Sequence, residues 1–138
     1  MLNQTKNSRV MLIDDNEIDL KINSRIISLT GLFDQVESCS SGQEALSSLH
    51  KNVNNPDNLP NFILLDIQMP DMDGFEFLEA YNNLPQHLMD HCVVIMLSST
   101  LDFGDIKRAE ANVNVVKLLK KPLNPEELKE LMDIHHNN

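Results

Sequence analysis

The sequence has few cysteines, few basic residues and no long apolar run, and each shortage excludes a class of protein. Its two cysteines, Cys39 and Cys92, form no CxxC or other close pair, so neither a disulfide framework nor a zinc site is indicated. The 11 basic residues against 21 acids give a formal charge of -10, which disfavours binding to nucleic acid and to anionic membranes. No apolar run approaches the roughly 20 residues of a membrane helix. We therefore expect a cytoplasmic protein without nucleic-acid or membrane partners.

Glycine-rich phosphate-binding patterns are also missing. Neither a Walker A run nor a GxGxxG pattern occurs, which argues against a nucleotide-binding module. Apolar residues, in contrast, make up 41% of the 138 residues, enough for one hydrophobic core. We expect residues 1–8 to form a flexible N-terminus, residues 9–134 a single domain and residues 135–138 a C-terminal tail.

Short apolar runs alternate with helical patterns along the chain. The predicted strands are residues 10–13, 35–39, 62–65, 92–97 and 115–119. A helical pattern follows each strand; the first closes near Gly31, the third covers residues 75–81, the fourth covers 102–111 and the last opens at Asn124-Pro125. Leu84-Pro85 ends or interrupts the third helix. Because parallel strands need crossover connections, this alternation predicts an α/β fold, a doubly wound five-stranded parallel sheet with five helices.

Polar residues follow four of the predicted strands. They are Asp14-Asp15 after the first, Asp66 after the third, Ser98-Ser99-Thr100 after the fourth and Lys120-Lys121-Pro122 after the fifth. In a doubly wound sheet the carboxyl ends of the strands form the site, so these side chains are expected to converge. The repulsion between three neighbouring acids must be relieved by protonation or by a cation, and carboxylates without histidine or cysteine favour Mg²⁺ or Mn²⁺. Beside a lysine and a hydroxyl, Asp66 is then suited to attack a phosphorus centre.

The order and spacing of these residues resemble a known family over essentially the whole chain. The resemblance is carried by Asp14-Asp15, by Asp66 with the run Met69-Pro70-Asp71-Met72-Asp73-Gly74, by Ser98 and by Lys121-Pro122. Together they are similar to the receiver domain of two-component response regulators, of the CheY-like superfamily. The resemblance implies a flavodoxin-like fold of five strand-helix units with strand order 2-1-3-4-5.

The resemblance implies that Asp66 is the phosphoacceptor and that a metal ion lies beside it. The phosphoryl group would come from the phosphohistidine of a sensor histidine kinase or of a histidine phosphotransfer protein. Asp15, Asp66 and the backbone carbonyl of Gln68 would bind Mg²⁺ directly, and Asp14 would act on the ion through a water molecule. Asp71 and Asp73 are expected to be turn and cap residues rather than ligands.

The resemblance also implies how the phosphoryl group is held. Ser98 would donate a hydrogen bond to it and Lys121 would form an ion pair with it. The peptide between Lys121 and Pro122 would be cis, which costs only about 0.5–1 kcal/mol before proline. Gln68 and Thr100 occupy the two positions that tune the lifetime of the phosphoryl group in this family.

One position departs from the family pattern. Receivers usually carry Tyr or Phe three residues before the lysine, and that ring turns inward as the hydroxyl residue moves. This sequence has Leu118 there. A leucine offers less area and no hydroxyl, so the aromatic half of the switch is missing.

The expected function is that of a stand-alone response regulator, a monomer or weak dimer, that signals by contact with a downstream protein or relays phosphate. It would be no enzyme beyond slow self-dephosphorylation. One alternative is a Mg²⁺-dependent phosphohydrolase of the haloacid dehalogenase type, which also forms an aspartyl phosphate. Those enzymes place the nucleophile after strand one with a second acid two residues on, whereas here adjacent acids follow strand one. The other alternative is a degenerate receiver that acts as an unphosphorylated interaction module.

Overall fold

Strands and helices alternate along the chain in the computed structural model, which describes residues 8–136. The expectation for the N-terminus therefore lies, for residues 1–7, outside the described residues. The elements are β1 (Arg9–Ile13), α1 (Glu17–Thr30), β2 (Gln35–Cys39), α2 (Gly42–Lys51), β3 (Phe62–Asp66), α3 (Gly74–Tyr81), α4 (Gln86–His91), β4 (Val93–Ser98), α5 (Phe103–Ala111), β5 (Val115–Lys120) and α6 (Pro125–His136). A short 3-10 helix, Pro56–Asn58, precedes β3.

The five strands form one parallel sheet in the order β2-β1-β3-β4-β5. This confirms the predicted doubly wound α/β fold and its strand order. The central strand β3 is buried along all of its residues, as expected for a parallel strand that has helices on both faces. Because Asp66 pairs with Leu97 and Ser98 with Lys120, the carboxyl ends of β3, β4 and β5 lie at one edge of the sheet.

The two faces of the sheet carry separate hydrophobic clusters. Alternate residues of each strand point to opposite faces, so Met11 and Ile13 belong to one cluster and Val10 and Leu12 to the other. The first cluster is completed by α2, α3, α4 and α5, and the second by α1 and α6. The sheet is therefore held between two helical layers, with the polar strand ends left at the edge.

Polar side chains cap the first turns of several helices. Asn16 accepts hydrogen bonds from the first-turn amides of α1 at 2.9 and 3.0 Å, and Ser41 accepts one at the start of α2 at 3.1 Å. Asn124 accepts two before α6, at 2.8 and 3.2 Å. Gly31 closes α1 with φ of 66°, a left-handed conformation that glycine adopts without strain. The cap at Asn16 matters most, because it fixes the loop that carries the adjacent acids.

The structure differs from the prediction at two helices. Among the described residues there are six α-helices rather than five, because α3 ends at Tyr81 and Pro85 then precedes a separate short helix, α4. Leu88 of α4 is fully buried, and this packing accounts for the extra turn. At the other end, α6 continues through His136, two residues past the predicted end of the domain at residue 134. In the described part of the chain, no helix combines the length and apolarity that crossing a bilayer requires.

Candidate functional site

Three acids meet at the carboxyl edge of the sheet. Asp14 and Asp15 follow β1, and Asp66 is the last residue of β3. One carboxylate oxygen from each lies within 4.8 Å of the other two. Asp14 and Asp66 are buried, whereas Asp15 is exposed. The sequence-based expectation that these acids converge therefore matches the geometry, which combines two desolvated carboxyl groups with one that faces water.

Lys121 connects this acidic cluster to the loop after β5. Its Nζ lies 2.9 Å from Asp14 Oδ2 and 3.3 Å from Asp66 Oδ1. The peptide between Lys121 and Pro122 is cis, the geometry that the family resemblance implies. The backbone amide of Lys121 donates a hydrogen bond of 2.8 Å to the carbonyl of Ser98. The ends of β4 and β5 are thus joined by a backbone hydrogen bond at the edge of the sheet that carries Asp66.

The charged groups of this cluster shift one another's pKa values. Burial, followed by the charge of Asp14, raises the pKa of Asp66 to about 7, although Lys121 opposes the shift. Burial disfavours the charged form of Lys121, but its hydrogen bonds to Asp19 and Asp14, with the charge of Asp66, raise its pKa above the ordinary value. Without a further cation, the cluster therefore holds more negative charge than one ammonium group neutralises.

The donor set fits a hard divalent cation. Asp14, Asp15 and Asp66 offer only carboxylate oxygens, and Mg²⁺ prefers oxygen ligands with room for water. The raised pKa of Asp66 is the expected property of a buried carboxyl group that needs a nearby positive charge. Gln68 is exposed two residues further along the loop, and the role of its carbonyl as a ligand stays a prediction.

The loop after Asp66 depends on a glycine. The amide of Gly74 donates a 2.8 Å hydrogen bond to the carbonyl of Ile67, which folds the loop back onto the end of β3. A Cβ at position 74 would lie 2.8 Å from the carbonyl oxygen of Asp66 and 3.0 Å from Ile67 Cα. Asp73 and Glu76 form a reciprocal capping box, with hydrogen bonds of 2.8 and 3.0 Å. Asp73 is thus a helix cap, as predicted.

The predicted hydroxyl residue lies at the site but faces its own loop. Ser98 is fully buried at the end of β4, and its hydroxyl donates to the carbonyl of Thr100. It also accepts a hydrogen bond of 3.2 Å from the amide of Thr100. The side chains of Ser99 and Thr100 are exposed. The hydroxyl of Ser98 must therefore turn away from Thr100 to reach a group on Asp66.

Leu118 lies on β5, at the position where an aromatic ring would be expected. It is half-buried and packs against the cluster that α2 to α5 cover. A cavity of about 280 Å³ lies beside it, and Leu101, Ile106 and Ala109 are among the other residues that line this cavity. Leu118 thus borders open space next to α5.

Sequence reasoning missed Asp19. This residue of α1 places its Oδ2 atom 2.8 Å from Lys121 Nζ, the shortest of the three ion pairs that Lys121 makes. A weak signal existed, because Asp19 is an acid in the first turn of α1, directly after the loop that carries Asp14 and Asp15. The next turn of α1 carries Asn23, which is buried and binds the loop after Lys121.

Comparisons with known proteins give one consistent family. The family model described as the response regulator receiver domain matches residues 10–133. A crystal structure of a two-component response regulator from Cytophaga hutchinsonii superimposes with a TM-score of 0.89 at 31% identity, covering 97% of this chain and 100% of that one. A response regulator receiver protein from Dyadobacter fermentans gives 0.85 at 35% identity, covering 94% and 98%.

Curated relatives differ in how much of their length the chain spans. The protein named "Probable methanogenesis regulatory protein FilR2", from Methanothrix harundinacea, is 31% identical over 90% of this chain and 78% of its own. The two-component response regulator ARR2 of Arabidopsis thaliana is 35% identical over 91% of this chain but only 17% of its own. For the hybrid signal transduction histidine kinase L of Dictyostelium discoideum the chain spans 7% of the relative. In each case the aligned segment is almost as long as this chain.

Proposed function

This chain belongs to the response regulator receiver domain family, and on that premise we propose that it accepts a phosphoryl group on Asp66. The donor is the phosphohistidine of a sensor histidine kinase or of a histidine phosphotransfer protein. The observation that supports this most is the position of Asp66, buried within 4.8 Å of Asp14 and Asp15 and 3.3 Å from the ammonium group of Lys121. A carboxylate placed in this way can act as a nucleophile towards phosphorus.

The reaction moves one phosphoryl group between two nucleophiles. A carboxylate oxygen of Asp66 attacks phosphorus, the bond from phosphorus to the imidazole nitrogen breaks, and the imidazole leaves with that electron pair. Asp66 must be deprotonated to attack, and the positive charge of Lys121 favours that form. Lys121 then pairs with the oxygens of the transferred group, on which negative charge is spread.

Asp15 and Asp66, with the carbonyl of Gln68, are the groups that would hold Mg²⁺, an ion that offsets the charge of the phosphoryl oxygens. Asp14 would act on such an ion through a water molecule, while it remains paired with Lys121. Ser98 exchanges its hydrogen bond with Thr100 for one to the phosphoryl group. Through this exchange, phosphorylation changes the hydrogen bonding of the loop after β4.

The output of the phosphorylated chain is contact with another protein or transfer of the group to a second histidine. Gln68 and Thr100 are exposed beside the acceptor and set how easily water reaches the acyl phosphate. We propose that the chain is a phosphoacceptor with slow self-dephosphorylation and without turnover of a small substrate.

Intact mass after incubation with Mg²⁺ and acetyl phosphate tests this proposal. One added phosphoryl group is expected on the wild-type chain and none on Asp66→Asn or on wild type in excess EDTA. An Asp71→Asn variant, which removes an exposed acid of the same loop, should gain the group like wild type. Failure of folded wild type to gain it from acetyl phosphate or a phosphorylated phosphotransfer protein would contradict the proposal. Repeated hydrolysis of p-nitrophenyl phosphate would indicate a phosphohydrolase instead.

A further inference from the structure

Three carboxyl groups share the single ammonium group of Lys121. Asp14 and Asp66 contact it from the strand ends, and Asp19 contacts it from α1 at 2.8 Å. The side chains of Asp14 and Asp66 are 0% and 4% exposed, whereas that of Asp19 is 34% exposed. Breaking the contact to Asp19 returns a partly exposed carboxylate to water, but breaking either of the others leaves a buried carboxylate that pairs with no other cation among residues 8–136. The contact to Asp19 is therefore the one that Lys121 gives up at the lowest cost.

The backbone around Lys121 is fixed, so only its side chain is free to exchange partners. The amide of Lys121 is bound to the carbonyl of Ser98. Two residues further on, the amide of Leu123 donates a 3.0 Å hydrogen bond to Oδ1 of the buried Asn23. Asp19 and Asn23 are one helical turn apart on α1. This helix thus holds the loop at two points, one at the backbone through Asn23 and one at the side chain of Lys121 through Asp19.

We propose that Asp19 is a positioning residue that competes with the phosphoryl group for the ammonium group of Lys121. The inference rests on the proposed phosphorylation of Asp66. In the unphosphorylated chain Asp19 neutralises part of the charge of Lys121. It also adds a negative charge close to the point where an anionic donor must arrive. Once the phosphoryl group is on Asp66, Lys121 turns to it and Asp19 is released to solvent.

Removal of this charge should therefore speed phosphorylation by a small anionic donor. With acetyl phosphate, an oxygen of Asp66 attacks phosphorus, the bond from phosphorus to the acyl oxygen breaks, and acetate leaves with the electron pair. In Asp19→Asn we expect the initial rate at saturating Mg²⁺ to rise roughly three- to tenfold at low ionic strength. The gain should shrink in about 1 M salt, where the Debye length falls to about 3 Å and the repulsion between Asp19 and an arriving anion is weakened.

Glu17→Gln is the matched control. It removes the same charge from the same first turn of α1, where Glu17 is exposed and makes no ion pair within residues 8–136. Its rate should stay within about twofold of wild type, because Glu17 does not contact Lys121 and its exposed charge acts only weakly through water. Asp19→Glu keeps the charge and should also stay near wild type. A gain confined to Asp19→Asn supports competition for Lys121, and a gain of equal size in Glu17→Gln overturns it.

Binding of Mg²⁺ to the unphosphorylated chain gives a second readout with the opposite sign. Without Asp19, Lys121 pairs more closely with Asp14 and Asp66 and repels the ion. Calorimetry should then show Mg²⁺ binding roughly two- to fivefold more weakly in Asp19→Asn than in Glu17→Gln. A purely structural role predicts slower phosphorylation together with a lower melting temperature, and that result would overturn the inference. Failure of wild type to accept phosphate contradicts the proposed function instead, and the Mg²⁺ measurement still tests the contact of Asp19.

Discussion

Asp66 combines two properties that oppose each other in a carboxyl group. It is buried next to Asp14, which disfavours its charge, and it lies beside Lys121, which favours that charge. The first effect is larger in the described structure, since the pKa is raised to about 7. A carboxyl group in this state is easily returned to its charged form by one additional cation. This sensitivity makes the residue suitable as a metal-dependent nucleophile.

The raised pKa of Asp66 should appear in the stability of the metal-free chain. An unfolded Asp titrates near about 4, so the folded chain binds the proton more tightly. Its contribution to stability is fully present below about pH 4 and is lost as the pH rises through about 7. In EDTA, Asp66→Asn should therefore be more stable than wild type by about 1–2 kcal/mol at pH 8, with a smaller difference at pH 5. Urea unfolding at the two pH values measures this.

An exposed acid serves as the control for that comparison. Asp71→Asn removes a carboxyl group from the same loop and should show no such change between pH 5 and pH 8. If the difference in free energy of unfolding between Asp66→Asn and wild type is equal at the two pH values, Asp66 titrates in the folded chain as it does in the unfolded one.

The connection from β3 to α3 shows how the elements position Asp66. β3 ends in Asp66 at the sheet edge, and α3 starts at Gly74 with its amide bound to the carbonyl of Ile67. The capping box of Asp73 and Glu76 fixes the first turn of α3 in that orientation. The sequence predicts both the loop and the cap. The close approach of Gly74 to the backbone of Asp66 is visible only when the two elements are packed together.

Gly74→Ala should disturb the acceptor loop. The added Cβ would meet backbone atoms of Asp66 and Ile67 at 2.8 and 3.0 Å, so the loop must shift as a whole. We expect a loss of about 1–3 kcal/mol in the free energy of unfolding and slower phosphorylation of Asp66. Gly42→Ala, at the start of α2, is the matched control. The atoms nearest to its added Cβ belong to side chains rather than to the backbone, and the closest is the sulfur of Met72 at 2.7 Å. Equal losses in both variants would show that the contact at position 74 is not special.

The fold of the whole molecule brings the charged side chains of the site together. Residues far apart in sequence, such as Asp14 and Lys121, become neighbours because β1, β3, β4 and β5 run parallel and end at one edge. The same arrangement leaves the acids without enough positive charge. A ligand that binds the folded chain and not the unfolded one must then raise the stability of the entire fold.

Mg²⁺ should stabilise the folded chain for this reason. At about a hundred times its dissociation constant, the ion should add about 2.7 kcal/mol and raise the melting temperature by roughly 5–10 °C. Asp15→Asn removes the exposed carboxylate of the acidic cluster and should abolish most of the rise, while Asp71→Asn should keep it. Differential scanning fluorimetry with Mg²⁺ and with EDTA decides this. An equal rise in all three proteins would place the stabilising ion elsewhere.

The fold could be predicted from the chain because its signals are local. Apolar runs such as 62–65 and caps such as Asn124 mark each element, and parallel strands joined by crossovers leave few topologies. The helix count was one short because packing of Leu88, rather than local pattern, produces α4. Periodicity also cannot tell which face of a helix is covered: Ile18 and Ile22 fit the apolar pattern of α1 yet are 68% and 45% exposed.

For the site, the sequence alone was enough to identify the acids, the hydroxyl and the lysine, since each follows a strand whose end must reach the same edge. It could not identify Asp19, because the distance from α1 to Lys121 depends on how the helix packs across the sheet. Nor could it show the inward hydrogen bond of Ser98 or the raised pKa of Asp66. Contacts between distant elements and the loss of solvent around a charge exist only in the packed molecule, and these are the properties that the tertiary structure supplies.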